Sequence, residues 1–191
     1  MLTYKPDPAL AGPLFGKDPW PLRFHTHTFS AWCFNTLACS IVYNHAEFGT
    51  RHRDYEGNIR DKPSGPIPAD DWRQRWEGGH GIVPYDGNTF PTDVELKWTS
   101  LDGSDHATRL DLDEMFKERL IVHRVAREDV LETWLDVKSI KPVSPSIYVE
   151  VDDRTINVYM RAMIFLKNTD STGQPRSRMQ DELILAWTHT Y

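Results

Sequence analysis

The stretch Ile147–Leu166, IYVEVDDRTINVYMRAMIFL, contains the longest two-residue alternation of apolar and polar side chains in the chain. Every even position from Ile156 to Leu166 is apolar, whereas on the segment before the turn the apolar positions are odd. This period is typical of a half-buried strand. In a hairpin with a two-residue loop, paired positions sum to an odd number, so a loop at Asp152 and Asp153 brings both apolar sets to one face. The stretch therefore predicts a β-hairpin and the parity of its register.

Further strands are predicted on both sides of this hairpin. Residues 24–45 are rich in β-branched and aromatic types and are long enough for two strands, one ending near Phe34 and one covering Cys39 to Tyr43. Alternation returns at 94–98 and 108–112, and the apolar residues of both segments are at even positions. Two even positions can pair when the loop between the strands has an odd number of residues, as the three-residue turn at 102–104 has. Helical patterns are short, at 68–76 and 112–120. The predicted fold is mainly β, an antiparallel sandwich or curled sheet with one or two short helices and a long loop insertion.

The length of 191 residues fits a single β-rich domain over 1–191. Residues 1–23 hold five of the 13 prolines and predict an extended N-terminal arm. Residues 46–91 hold seven of the 11 glycines and predict a loop-rich insertion. Loop regions of this length in a compact domain are usually functional or disordered.

Composition narrows the classes of function. A hydrophobic fraction of 39% and a net charge of −6 describe an acidic globular protein. This charge argues against a nucleic-acid binder, because phosphate contacts need surplus Lys and Arg on one face. We expect no membrane span, since no apolar run approaches about 18 residues. The start, MLTYKPDPALAGP, lacks a signal pattern. The compartment therefore stays open: periplasmic if a signal has been removed, otherwise cytoplasmic.

The chain has two cysteines, Cys33 and Cys39. On one continuous strand they would lie about 20 Å apart, beyond disulfide reach. A bond requires the chain to reverse between Asn35 and Ala38. We favour two small buried thiols, with the disulfide as the alternative.

Catalytic signatures are lacking in the sequence, and we assign no catalytic residue and no cofactor. His25 and His27 on a strand would place two imidazoles about 7 Å apart on one face, a spacing that suits zinc. A zinc-dependent hydrolase is therefore the alternative function, although no spaced set supplies the remaining ligands.

The loop insertion instead carries residues typical of protein interfaces, because Trp, Tyr and Arg most often anchor partners. The predicted partner-binding residues of the insertion are Arg51, Arg53, Tyr55, Trp72, Arg73 and Trp76. The acidic hairpin turn, Asp152 and Asp153, is a second contact candidate for a basic partner. The alternative interpretation is that Trp72 and Trp76 pack onto the sheet while the arginines are solvated.

Several segments resemble a family of small proteins encoded beside type VI secretion effectors. They are DKPSGPIP, DVELKWTSLDGSDH, VHRVAREDV, VEVDDRTINVYMRAMI and the ending DELILAWTHTY. The similarity spans about two thirds of the chain, from Asp61 to Tyr191. Proteins of that family act as immunity factors against toxins that include lipases. The resemblance implies an immunity protein that binds a cognate effector toxin and catalyses no reaction itself.

Overall fold

The computed structural model describes residues 20–69, 71–76, 79–82, 88–131, 143–167 and 178–191, with residue 52 described by its backbone alone. Residues 1–19 of the predicted N-terminal arm lie outside this part of the chain.

The described residues form two main sheets. The strands are β1 His27–Phe34, β2 Thr36–Tyr43, β3 Ala46–Gly49, β4 His52–Arg53, β5 Ile59–Arg60, β6 His80–Ile82, β7 Val94–Ser100, β8 Asp105–Leu110, β9 Ser146–Asp152, β10 Thr155–Arg161, β11 Ile164–Leu166, β12 Arg178–Gln180 and β13 Leu183–Thr190. One sheet has the order β13-β10-β9-β1-β6 and the other β3-β2-β7-β8. Two small two-stranded sheets pair β4 with β5 and β11 with β12. The helical elements are α1, Leu112–Met115, and 3₁₀ turns at Trp72–Arg75 and Arg127–Asp129.

The mainly β fold is confirmed. Apolar residues of both large sheets form one buried cluster, with side chains from β1, β9 and β10 of the first and from β2 and β7 of the second. One pairing departs from the predicted antiparallel arrangement, because β1 pairs with β9 in parallel. This pairing lies in the interior of the five-stranded sheet, where both partners are covered.

The β9–β10 hairpin follows the predicted parity. Val149 pairs with Val158 and Val151 pairs with Ile156, so each pair sums to 307, and all four side chains are fully buried. The loop itself is shifted by one residue from the prediction, to Asp153 and Arg154. Asp153 takes a positive φ of 51°, a conformation that Asp tolerates better than most residues.

The preference for two free thiols is wrong, because Cys33 and Cys39 form a disulfide. Cys33 lies on β1 and Cys39 on β2, which belong to different sheets. The chain passes from one sheet to the other at Asn35, whose φ is 51°. This reversal brings the two Cα atoms to 6.3 Å, so the bond joins the two layers of the sandwich.

Among the described residues, the helices are too short or too polar to span a bilayer.

Candidate partner-binding surface

The most exposed aromatic side chain of the described residues lies on the β4–β5 hairpin. Arg53 pairs with Ile59, and residues 54–58 form the turn between them. Tyr55 in this turn is 97% exposed and Ile59 is 52% exposed. The hairpin thus presents an aromatic and an aliphatic side chain to solvent.

Asp54 fixes the backbone of this turn. Its Oδ1 accepts hydrogen bonds from the amides of Glu56 at 3.0 Å and Asn58 at 2.9 Å. Its Oδ2 accepts from Nε of Arg60 at 3.2 Å. The amide of Asp54 donates to the carbonyl of Asn58 at 3.0 Å. The hydrogen bonds of Asp54 therefore fix the backbone at Tyr55, while the side chain of Tyr55 contacts solvent.

The two arginines predicted for this segment have different roles. Arg51 forms a two-point ion pair with Asp61 across the base of the hairpin, with Nε–Oδ1 at 2.7 Å and Nη2–Oδ2 at 3.3 Å. Arg53 is exposed, and its Nη1 donates to the carbonyl of Gly57 at 3.4 Å. The structure therefore places Arg53 beside Tyr55 on the surface, whereas Arg51 holds the hairpin at its base.

The tryptophans predicted for the interface lie on a segment that crosses the outer face of the five-stranded sheet, residues 61–69 and 71–76, which we name the strap. Trp76 is only 2% exposed and stacks on Trp32 of β1, with ring centroids 4.3 Å apart. Trp72 is half-buried and meets Trp32 edge-on at 6.2 Å. The packing of Trp76 follows the alternative interpretation, in which the strap covers the sheet, so Trp76 offers no surface to a partner.

Arg73 of the strap binds a buried carboxylate. Its Nε and Nη2 donate to the two oxygens of Glu150 at 2.8 and 2.9 Å, and Glu150 is 0% exposed. Asn157 donates to Oε1 of the same carboxylate at 3.0 Å. Arg73 is therefore half-buried, and its guanidinium is engaged by the protein itself.

The surroundings of Glu150 shift the pKa of two neighbouring groups. The hydrogen bond to Glu150 raises the pKa of Arg73. Burial, together with the Glu150 charge, raises the pKa of Tyr159 to about 12. Both groups consequently keep their protons at neutral pH, and both donate toward the carboxylate.

Arg161 holds the strap by its backbone. Its Nη2 donates to the carbonyls of Gln74 at 2.9 Å and Arg73 at 3.3 Å, and its Nη1 donates to the carbonyl of Trp76. Carbonyl groups at the end of a short helical turn can accept further hydrogen bonds, and the guanidinium of Arg161 donates to three of them. Arg161 is at an odd position of β10, on the face opposite the even apolar residues, and the alternation gives no sign of this contact.

The acidic hairpin turn is engaged by the rest of the protein. Oδ1 of Asp152 accepts from the side-chain amide of Asn35 at 2.7 Å. Oδ1 of Asp153 accepts from the amide of Leu101 at 2.9 Å. Both residues are half-buried, so the turn is not the freely presented acidic tip that the sequence suggested.

His25 and His27 are both buried. Nε2 of His27 is 2.9 Å from the hydroxyl of Tyr43. Burial, assisted by the nearby Arg119 charge, lowers the pKa of His27 to about 3, so its ring is neutral at physiological pH. Within the described residues, no group of three or more His, Cys, Asp or Glu side chains is arranged to hold a metal ion.

A serine and a histidine that sequence reasoning missed meet at the β7–β8 turn. Oγ of Ser100 lies 2.9 Å from Nε2 of His106 and 2.7 Å from Oδ1 of Asp102. The hydrogen bond from Ser100 lowers the pKa of Asp102 to about 2. The same hydroxyl also lies 3.1 Å from the carbonyl oxygen of Ser104. These contacts close the β7–β8 turn.

Comparison with known proteins gives no relative for this fold or this surface: no protein-family model, no curated protein and no solved structure matches the chain.

Proposed function

We propose that this protein binds and neutralises a cognate type VI secretion effector toxin, without catalysing a reaction, and that the β4–β5 hairpin makes the central contact. The assignment to an effector toxin, and to a lipase as one candidate, rests on the resemblance described above. The observation that carries the binding role is Tyr55, an aromatic side chain that is 97% exposed on a turn held by Asp54.

An exposed aromatic on a fixed backbone is well suited to anchor a partner. Tyr buries a large area on binding at a small cost in conformational entropy, and a preorganised loop lowers that cost further. Arg53 and Ile59, opposite each other on the two strands, extend the contact surface. Their combination of a cation and an aliphatic side chain suits an interface core with a polar rim.

The shape of the hairpin indicates what kind of surface it fits. Arg53, Ile59 and Arg60 are all exposed, so both faces of the ribbon contact solvent. A projecting ribbon is convex, and enzyme active sites are concave. Insertion of the hairpin into the active-site cleft of the toxin is therefore the binding mode we propose.

The other predicted contact residues have supporting roles in this proposal. Trp72 is half-buried on the strap and is a peripheral contact candidate. Arg51, Arg73, Trp76, Asp152 and Asp153 act through the contacts they make inside the protein.

The test is co-expression with the product of the adjacent open reading frame, followed by a pull-down and a toxicity-rescue assay. Tyr55→Ala should weaken binding by roughly 2 kcal/mol, about 30-fold in Kd, and should reduce rescue. Leu101→Ala is the matched control, because Leu101 is an exposed apolar side chain, 56% accessible, on a different turn. Full rescue and unchanged affinity with Tyr55→Ala would contradict the proposed binding site, and no capture of the neighbouring product by the wild-type protein would contradict the proposed function.

A further inference from the structure

The first strand of the binding hairpin is anchored on one cysteine. The carbonyl of Cys39 accepts hydrogen bonds from the amides of Thr50 and Arg51, both at 2.9 Å. The amide of Cys39 donates to Oγ1 of Thr50 at 3.1 Å. Both backbone polar groups of Cys39 are thus used by the segment that leads into β4.

Gly49 shows how closely this segment packs against the disulfide. Its φ is +108°, and a Cβ at this position would lie 2.5 Å from the carbonyl oxygen of Cys39 and 3.3 Å from Sγ of Cys33. The chain can therefore follow this path only with glycine at position 49.

The strand that leaves the hairpin is anchored on the same short loop. The amide of Ser64 donates to the carbonyl of Thr36 at 2.9 Å, and the amide of Thr36 donates to Oγ of Ser64 at 3.0 Å. The amide of Asn35 donates to the carbonyl of Gly65 at 3.0 Å. Residues 35–39, which the Cys33–Cys39 bond closes into a loop, thus bind both ends of the segment that carries the hairpin.

We propose that the Cys33–Cys39 disulfide is a positioning element for the β4–β5 hairpin. The bond closes residues 33–39, where β1 ends and β2 begins, into a platform, and this platform sets the direction in which Tyr55 points. Opening the bond loosens this corner at the ends of the two strands, and the hairpin loses its fixed direction while the rest of both sheets persists. The importance of this direction for a partner rests on the proposed function. The dependence of the hairpin direction on the disulfide does not.

Amide hydrogen exchange of the isolated protein tests the dependence without a partner. In the Cys33→Ala/Cys39→Ala variant, exchange at Thr50, Arg51 and Ser64 should accelerate at least about tenfold more than in the β9–β10 ladder. Val158→Ala is the control, because it truncates a fully buried side chain of β10 and weakens the fold away from the platform. A uniform acceleration in the cysteine variant, like that of the control, would overturn the proposal.

A second pair of variants keeps the test valid if the cysteine variant does not fold. Thr50→Val and Ser64→Ala retain the disulfide but each removes a side-chain contact to the platform. Each should accelerate exchange at Gly57 and Asn58 in the hairpin. Unchanged exchange at these amides in both variants would show that the platform does not hold the hairpin, which overturns the proposal.

A binding measurement separates this inference from the proposed function. With the captured toxin as probe, the cysteine variant should bind more weakly than Val158→Ala. If Tyr55→Ala leaves toxin binding unchanged while selective exchange is seen, the proposed function fails and the positioning role stands. If Tyr55→Ala abolishes binding while exchange accelerates uniformly, the positioning role fails alone.

Discussion

The indole nitrogen of Trp98 donates a 2.7 Å hydrogen bond to the carbonyl oxygen of Asp153, and so joins the four-stranded sheet to the turn of the β9–β10 hairpin. A second bond from the same sheet reinforces the contact, because the amide of Leu101 in the β7–β8 turn donates to the Asp153 carboxylate. The β9–β10 turn, which the sequence offered as a contact for a partner, is thus one of the points where the two sheets meet.

Removing the indole donor should destabilise the protein. Trp98→Phe keeps an aromatic ring but leaves the carbonyl of Asp153 without this partner, which should cost about 1–2 kcal/mol of unfolding free energy. Urea denaturation measures the change. Leu101→Ala is the control and should stay within about 0.5 kcal/mol, because the side chain is exposed and the backbone amide is retained. Equal stability of wild type and Trp98→Phe would show that the bond contributes nothing.

Arg73→Met should destabilise the protein by about 3 kcal/mol, because it leaves the fully buried Glu150 carboxylate without its cation. Arg75→Met tests the specificity of this effect. Arg75 lies in the same turn, but its ion pair with Asp71 is exposed, so the change should be below about 1 kcal/mol. Adding Glu150→Gln to Arg73→Met should recover part of the loss, since the uncompensated charge is then removed. Similar losses for the two methionine variants would contradict the role of Glu150.

Gly49→Ala should cost about 3 kcal/mol or more, because the new Cβ would combine a positive φ with a 2.5 Å approach to the Cys39 carbonyl. Gly103→Ala is a matched comparison. Gly103 also has a positive φ, +84°, but a Cβ there meets nothing within 4 Å, so only about 1 kcal/mol of backbone strain is expected. Thermal unfolding of both variants gives the difference. If the two alanine variants are equally stable, the close packing of Gly49 has no energetic importance.

His27 should make the protein sensitive to acid between about pH 6.5 and pH 3. Its pKa is lowered from 6.5 to about 3 in the folded protein, so the unfolded chain takes up a proton in this range and the folded protein does not. The contribution of His27 to stability is therefore complete above pH 6.5 and falls by up to about 1.4 kcal/mol per pH unit below it.

His27→Gln removes this titration while keeping a side chain that can bond to Tyr43. Unfolding free energies measured by urea from pH 7 to pH 4 should fall less steeply in the variant than in the wild type. Parallel pH profiles would show that His27 titrates equally in both states.

The local part of the fold was predictable from residue patterns. The β9–β10 parity follows from the two-residue period, because a shift by one position would expose Val149, Val151 and Val158. The loop position was off by one residue, since Asp153 adopts a positive φ that no periodic pattern encodes. The parallel β1–β9 pairing was not predictable, because two apolar strands far apart in sequence carry no mark of their relative direction.

The candidate site was predictable only as a region. The sequence picked out the insertion and its aromatic and basic residues, but composition does not state which side chain faces the sheet. Trp76 is buried because Trp32 and Tyr148 offer a flat aromatic surface, and Arg73 pairs with its own protein because Glu150 lies beneath the strap. The disulfide depended on a reversal at a single residue, Asn35, and such a reversal leaves no periodic signal.

The parallel pairing of β1 with β9 has a consequence for synthesis of the protein. Thr28 of β1 and Ser146 beside it are 118 residues apart in the chain. At ordinary elongation rates, on the order of ten seconds separates the release of one strand from that of the other. The β3-β2-β7-β8 sheet, complete by Leu110, is available first. The nascent chain therefore leaves the ribosome with one layer able to form, while β1 has β6 available but still lacks β9 on its other side.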